Sequence, residues 1–489
     1  MSNSTPKSRY SRRALIGAMG LATLGTVIAA CGAPAAPTAA PAKPAEAPKP
    51  TEAPKAAEAP KAPTPTQVPQ VIVPTQAPKP ELKAGQKYLE YWHNFGAGVS
   101  LDVHMQQIAD FEKANQTYRV DIQYVPTTAG TQLSEKLIAA ITAGTPPAAS
   151  RFDRFIVTSW AARGFCEDLT DLAKRDGVTQ DKFIKEGWLE ATWQGKVFAV
   201  PFDTDLRAIY YNKKHFREAG LDPDKPPATI AELEQAAEKL TQKEGGKYKR
   251  MGFVPWFRQG HTCLYGWMWG GEFYDREKNV VTLDHPKVAE ALDWIVAYAK
   301  KYDVETMDSA SQAYGVNEQD PFVTELVSMI SSGDWEVANY NKYFKPDMKD
   351  QWDMFPYPKV PGGPDRVTWG GGWATIVPKG AKDKDGGWAF AKFLGTDAAA
   401  TYAIGTTHIP VYLPAYDDLE KNKSKFDPRW VKFWPLREVA RYRPNLPVGQ
   451  ELWNAQVQAM DLARHFKEEV RPLLKRLNDD VNKELAKYK

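Results

Sequence analysis

The chain has 489 residues and a formal net charge of +3, of which residues 1–30 contribute +4 through Lys7, Arg9, Arg12 and Arg13, leaving −1 for the rest. That balance offers no basic excess for counterion release and argues against a nucleic-acid partner. Setting aside a leader and a linker leaves about 400 residues, enough for two ordinary domains, and all 16 Trp fall at or after Trp92.

Residues 1–30 read as an export signal: a basic start, an uncharged and mostly apolar stretch from Ala14 to Ala30, and small residues before Cys31. The apolar stretch is short for a membrane span and is diluted by Gly17, Gly20 and Gly25. Ile28-Ala29-Ala30-Cys31 resembles a bacterial lipobox, which implies that Cys31 is lipidated and becomes the new N-terminus. Ser11-Arg12-Arg13-Ala14-Leu15-Ile16 also resembles a twin-arginine signal, without the usual Phe, so the twin-arginine and general secretory routes both stay open. The expectation is a protein outside the cytoplasm, lipid-anchored to the outer face of the cell membrane. Residues 31–85 follow as a Pro/Ala-rich linker in which Glu-Ala-Pro-Lys starts at Glu46, Glu52 and Glu58. Pro at this frequency forbids helix, and too few apolar side chains are present to offset ordering entropy. A disordered, polyproline-like spacer reaching at most about 150 Å is expected, at ~3.1 Å per residue. Cys166 and Cys263 could pair in an oxidising compartment, which sequence alone leaves open.

The folded body starts with a strand at Tyr88–Trp92 and a loop at 93–98. A helix with Leu101, Met105, Ile108 and Phe111 on one face comes next, then an alternating strand from Arg119 to Tyr124. Leu133, Leu137, Ile138 and Ile141 predict a second helix, stopped by Gly144 and Pro146-Pro147. Helices between strands at this interval indicate βαβ units and a largely parallel sheet. Val197–Pro201 and Ala208–Tyr211 are apolar strands separated by Phe202-Asp203-Thr204-Asp205, a polar interruption that reads as a crossing between lobes. Thr229 and Glu232 predict a capping box, and His285-Pro286 opens a long helix. Strands are expected at Met251–Pro255, Leu326–Ser331 and Thr368–Pro378, and the last third, from Lys384, is helical.

Several short motifs stand in one order along this body. They are Phe111-Glu112-Lys113-Ala114-Asn115, Ala143-Gly144-Thr145-Pro146-Pro147, Gly195-Lys196-Val197-Phe198-Ala199-Val200-Pro201 and Tyr210-Tyr211-Asn212-Lys213. Thr229-Ile230-Ala231-Glu232-Leu233, Ser332-Gly333-Asp334-Trp335-Glu336 and Gly370-Gly371-Gly372-Trp373 follow. In that order the chain resembles family 1 of the extracellular solute-binding proteins, the maltose-binding type of sugar importers. The resemblance implies an α/β, two-lobed periplasmic-binding-protein-like (type II) fold with a central ligand cleft and hinge. Lobe 1 would comprise 86–203 and 362–404; lobe 2 would comprise 204–361 and the C-terminal helices of 405–489. It further implies a monomer without cofactor that closes on a small-molecule solute, a carbohydrate, and delivers it to ABC transporter permease subunits. Two departures stand out: Ala148-Ala149-Ser150-Arg151 follow Pro-Pro where the family has Asp, and Glu325 stands where the family often has Gly.

No Gly-x-Ser-x-Gly elbow, His-Glu-x-x-His or Walker loop is present, and Gly370–Gly372 precede a strand rather than a helix. Asp203 and Asp205 could be offered for glycoside hydrolysis, but such pairs are common by chance and no enzyme is expected. The seven His lack ligand spacing, so no metal site is expected. A pyranose presents C–H faces that match aromatic rings and a hydroxyl rim that matches carboxylates, Asn and Arg. The candidates at strand ends, where open α/β sheets bind ligands, are Trp92, Asn94, Arg154, Asp203, Asp205, Trp256, Trp269, Asp334, Trp335, Trp369 and Trp373. Gly371 and Gly372 join them as positions that let a ligand approach the backbone. His93 and His408 are candidates near the cleft, whereas Trp294 and Trp388 sit on helix faces and read as core. The alternative is a non-sugar solute on the same scaffold: an oligopeptide, a polyamine or a phosphodiester. Asp203, Asp205 and Asp334 against Arg154 and Arg258 select neither charge cleanly. A surface glycoside hydrolase is the third reading.

Overall fold

The computed structural model describes residues 79, 81–126, 132–312 and 314–488. The export signal, Cys31 and nearly all of the spacer lie outside the described residues. Alternation at the start of the body produces strands Lys87–His93 and Tyr118–Tyr124, paired in parallel with Leu89 opposite Val120, both buried. The first sheet runs Tyr118–Tyr124, Lys87–His93, Ala149–Asp153, Trp373–Ile376, Ala199–Pro201. Its first three strands are parallel, with helices Val99–Ala114 and Gln132–Thr142 between them, as the βαβ spacing predicts. Trp373–Ile376 runs against both of its neighbours.

Helix Val99–Ala114 turns a different face inward from the one its apolar spacing predicts. Ile108 and Phe111 are buried, but Met105 is 41 % exposed while His104 and Gln107 are buried. The Gln107 amide donates to the Ala398 carbonyl at 3.2 Å and meets His104 Nδ1 at 3.0 Å, so hydrogen bonding makes burial of this polar pair tolerable.

The second sheet is organised on Asp205–Asn212, all eight of whose residues are buried. Met329–Gly333, Trp352–Phe355 and Thr368–Gly371 pair antiparallel with it, and Ala440–Arg441 lies parallel beside Thr368–Gly371. The expected parallel arrangement therefore stops at the first sheet. Asp205–Asn212 leads away from the crossing, and its neighbours run back toward it. Met251–Pro255 contributes only a bridge from Met251 to Val327, and the strand expected at Leu326–Ser331 forms at Met329–Gly333. The Thr229/Glu232 capping box forms as predicted at helix Ile230–Leu240, and Pro286 sits at the start of helix Pro286–Tyr302. The last two long helices of the C-terminal region are Gly449–Arg464 and Val470–Leu485. Trp388 is fully buried and Trp294 packs on the core around the second sheet, as read from the sequence. Cys166 and Cys263 are both buried and free.

The chain leaves the first sheet at Pro201, enters the second at Asp205, and returns at Gly372. The return lies ten residues later than the 361/362 boundary anticipated from the sequence, because Gly370 and Gly371 are hydrogen-bonded into the second sheet against Leu206 and Asp205. The single strand expected over Thr368–Pro378 is thus two strands in two sheets, broken at Gly372, whose φ of 145° suits glycine. Thr204 and Ile409 exchange backbone hydrogen bonds of 2.7 and 3.0 Å, which brings a third segment past the same point. At Glu325, where the resemblance places Gly, the backbone is left-handed (φ 61°) and the carboxylate pairs with Lys214 at 2.9 Å. No described helix is long and apolar enough to cross a membrane.

Candidate functional site

The polar residues at the crossing form a buried network. Arg154 follows strand Ala149–Asp153 and is fully buried. Its Nε donates to Glu190 at 3.0 Å, Nη1 to the Asp203 carbonyl and Nη2 to the Gly371 carbonyl. One guanidinium therefore ties together two of the segments that pass between the sheets. This corrects the sequence reading of Arg154 as a solute contact: all three of its nitrogens already hold protein acceptors. Asp203, also fully buried, accepts the Trp373 N–H at 2.6 Å. Burial, followed by the neighbouring Asp205, pushes its pKa up to about 7. Burial also opposes ionisation of Asp205, but Arg207, His408 and Arg154 outweigh it and hold that carboxyl below its ordinary value, with Arg207 donating directly to it. Asp334 is buried with Oδ2 accepting the Leu206 N–H at 3.2 Å, and burial together with Asp205 holds it well above the carboxylate range.

The glycines of this strand serve the same network. A Cβ on Gly370 would lie 2.5 Å from the Tyr442 ring. One on Gly371 would lie 2.8 Å from Asp205 Oδ1, and one on Gly372 would lie 2.5 Å from the Asp203 carbonyl oxygen. Gly371 and Gly372 therefore clear space for buried protein atoms, not for a ligand as the sequence reading held.

Beside the network, between the two sheets, is a cavity of about 310 Å³. The loop after strand Lys87–His93 forms one wall with Asn94 and Phe95, joined by Arg151; Trp335, Asn339, Tyr343, Asn317 and Arg258 form the other. The walls touch where Asn317 Nδ2 donates to the Ala97 carbonyl at 3.0 Å and Lys342 meets Asp102 at 3.0 Å. Trp335 is held in place by Nε1 donating to Glu336 at 3.1 Å and by stacking on His408, 5.7 Å between ring centres. Gly333 makes that ring position possible, since a Cβ there would fall 1.9 Å from the indole. A second cavity of about 160 Å³ adjoins at Asn94 and is lined by Trp373, Asp153, Arg443 and Trp453. A third, also about 160 Å³, continues past Trp453 to Trp256, His261 and Arg464.

Of the residues singled out from the sequence, Asn94, Trp335, Trp373, Trp256 and Arg258 line these cavities. Trp256 is anchored by Nε1 donating to Asp308 at 2.8 Å. The others do not line them. Trp92 packs in the first-sheet core under Lys136. Trp269 packs at a tilt against Trp294 inside the second-sheet core, 5.3 Å between ring centres. Trp369 is 3 % exposed beneath the Arg207 guanidinium. Asp203, Asp205, Asp334 and Arg154 belong to the crossing. His93 and His408 are buried, and burial holds both near pKa 4, hence neutral. The sequence reading missed Phe95, Arg151, Asn317, Asn339, Tyr343, Arg443 and Trp453. The Arg441-Tyr442-Arg443 run ahead of helix Gly449–Arg464 was the available signal for the last two.

Known proteins share this fold. The mannobiose-bound structure of CpMnBP1 superposes with a TM-score of 0.72 at 26% identity, covering 81% of this chain and 99% of that one. The maltose-bound MalE3 of T. maritima shares the fold, with a TM-score of 0.68 at 23% identity, covering 82% of this chain and 100% of that one. Among curated sequences, the sn-glycerol-3-phosphate-binding periplasmic protein of Escherichia coli K12 is 24% identical over 349 residues, 67% of this chain and 75% of the relative. The family model for bacterial extracellular solute-binding proteins matches residues 102–401, which is more than half of the chain and contains most of both sheets and the Trp335 wall. The chain belongs to the bacterial extracellular solute-binding protein family.

Proposed function

We propose that this protein captures a carbohydrate between its two sheets and hands it to the permease of an ABC importer. The observation that carries the reading is the 310 Å³ cavity, where the rings of Trp335 and Tyr343 stand among the amides of Asn94, Asn317 and Asn339. Rings match the C–H faces of a sugar and amides match its hydroxyl rim. The mannobiose carried by the structural neighbour at 26% identity supports the same ligand class. Two lobes, one built on each sheet, close on the solute by rotation at the crossing. Export with lipidation of Cys31 tethers the body to the outer face of the cell membrane; intact-mass analysis of the membrane fraction should find a lipid on Cys31 and lose it in Cys31→Ala. No catalysis is assigned: Asp203 and Asp205, the pair offered from the sequence, are buried in the crossing.

Titration calorimetry against neutral and acidic saccharides tests the reading, with saturable one-to-one binding expected. Binding of an oligopeptide or polyamine, with no saccharide bound, would overturn it. One other reading has a specific observation behind it: a phosphate-bearing solute, as in the name of the curated glycerol-phosphate-binding relatives.

A further inference from the structure

The arginines around the cleft are not equivalent. Arg207 is paired with Asp205, Arg258 with Asp320 at 2.7 Å, and Arg443 with Asp153 at 3.0 Å. Arg151 makes no ion pair among the described residues, although it is 5 % exposed and lines the 310 Å³ cavity. Among the described residues its side chain has one hydrogen-bond partner, the neutral Oδ1 of Asn94, and its Nε has none. The guanidinium carbon lies 3.3 Å from the Trp373 ring centre and 3.9 Å from that of Phe95. Ring contact offsets part of the desolvation of a buried cation, but covers guanidinium faces and leaves the N–H edge.

The carboxyls nearby are committed elsewhere. Asp320 accepts from Arg258, and Glu336 accepts from Ser332, Trp335 and Asn339. Asp203 lies within electrostatic reach of Arg151, yet its Oδ1 holds the Trp373 N–H and burial keeps it near pKa 7, so at neutral pH it balances only part of the charge. A buried guanidinium with an open edge and an incomplete counter-charge is a receptor for an anion.

We propose that the transported solute carries an acidic group, a carboxylate or a phosphoryl, and that Arg151 is the residue that selects it. The inference rests on the carbohydrate reading and narrows it to acidic saccharides. Carboxylate and phosphoryl oxygens accept two parallel N–H bonds from a guanidinium edge, where a hydroxyl accepts one. Trp335 and the amides of Asn317 and Asn339 on the facing wall remain for the sugar ring.

The test uses probes matched except for charge: mannobiose against a mannuronate disaccharide, and glycerol against sn-glycerol 3-phosphate, each titrated into the full-length protein. The wild type should bind the acidic member of at least one pair at least tenfold more tightly than its neutral partner. Arg151→Lys, which keeps the charge and loses the fork, should weaken the acidic probe about 10- to 100-fold and the neutral one less than about threefold. Equal affinity within both pairs overturns the inference while leaving the carbohydrate reading standing, and that comparison needs no variant to fold. Equal weakening of both members by Arg151→Lys also overturns it, since Arg151 would then read hydroxyls. Binding of sn-glycerol 3-phosphate alone, with neither saccharide bound, supports the role of Arg151 and overturns the carbohydrate reading.

Discussion

Replacing Arg154 distinguishes a crossing clamp from a solute contact. Arg154→Met keeps the length of the side chain and removes its charge and donors. Glu190, 2 % exposed, then loses its only ion-pair partner among the described residues, and the carbonyls of Asp203 and Gly371 each lose a guanidinium donor. Removing one partner of a buried ion pair costs about 3–5 kcal/mol. With an unfolding entropy of about 2.1 cal/mol/K per residue, a body of roughly 400 residues loses on the order of 4–6 °C in Tm. Glu190 is already pushed up to about 7 by burial, with Arg154 opposing, so removing Arg154 raises it further. A raised carboxyl contributes stability that is present below its unfolded pKa and lost as pH rises through its folded one. The deficit of Arg154→Met should therefore be small at pH 5 and large at pH 8. Arg154→Met with Glu190→Gln should recover about half of it, because no buried charge is left. Calorimetric melting of the three proteins at both pH values measures all of this. An Arg154→Met protein that melts with the wild type but binds no solute would refute the clamp and restore Arg154 as a contact.

Trp335→Ala should weaken solute binding about 10- to 100-fold, corresponding to about 1–3 kcal/mol for a ring at the ligand, and should shift Tm little because the ring is half-buried. Gly333→Ala should reproduce that loss by displacing the indole; unchanged calorimetric affinity in either would remove Trp335 from the site. Asp203→Asn should gain stability relative to wild type as pH rises from 5 to 8, by up to about 1.4 kcal/mol per pH unit crossed, since the wild type alone must then bury the charge; a pH-independent difference in Tm would place Asp203 in its ordinary range. Saturating solute should reduce the radius of gyration in solution scattering, and an unchanged value would argue against closure at the crossing.

The first sheet was legible because its strands alternate and its helices carry conventional stops, and the Thr229/Glu232 capping box was legible for the same local reason. What failed depended on tertiary partners. Three consecutive glycines before Trp373 suggested an open approach for a ligand, but the space is filled by Tyr442, Arg207 and Arg154, which come from elsewhere in the chain. Aromatic residues at strand ends led to cavity walls for Trp335 and Trp373 and to core positions for Trp269 and Trp369, since a core and a sugar platform draw on the same residue types. Arg154 and Arg151 stand three positions apart at the end of one strand, and composition does not distinguish them. Only the partners do: Arg154 has Glu190 and two carbonyls, and Arg151 has two rings and an amide.

The position of Trp373 links the cleft to the crossing. Its ring packs on Arg151, while its N–H is held by Asp203, the acid whose backbone carbonyl accepts from Arg154. A negative group docked on Arg151 would draw on the same positive field that now favours ionised Asp203, and proximity to that group would push the Asp203 pKa further up. Near neutral pH, where Asp203 sits close to its midpoint, the protein should take up a fraction of a proton with each acidic solute. A neutral sugar has no such term. An acid poised by burial at the segment where the chain changes sheets thus couples the charge of the solute to the crossing about which the proposed closure would turn. A guanidinium paired outright with a carboxylate, as Arg207 is with Asp205, could not transmit that signal, because its field is already answered.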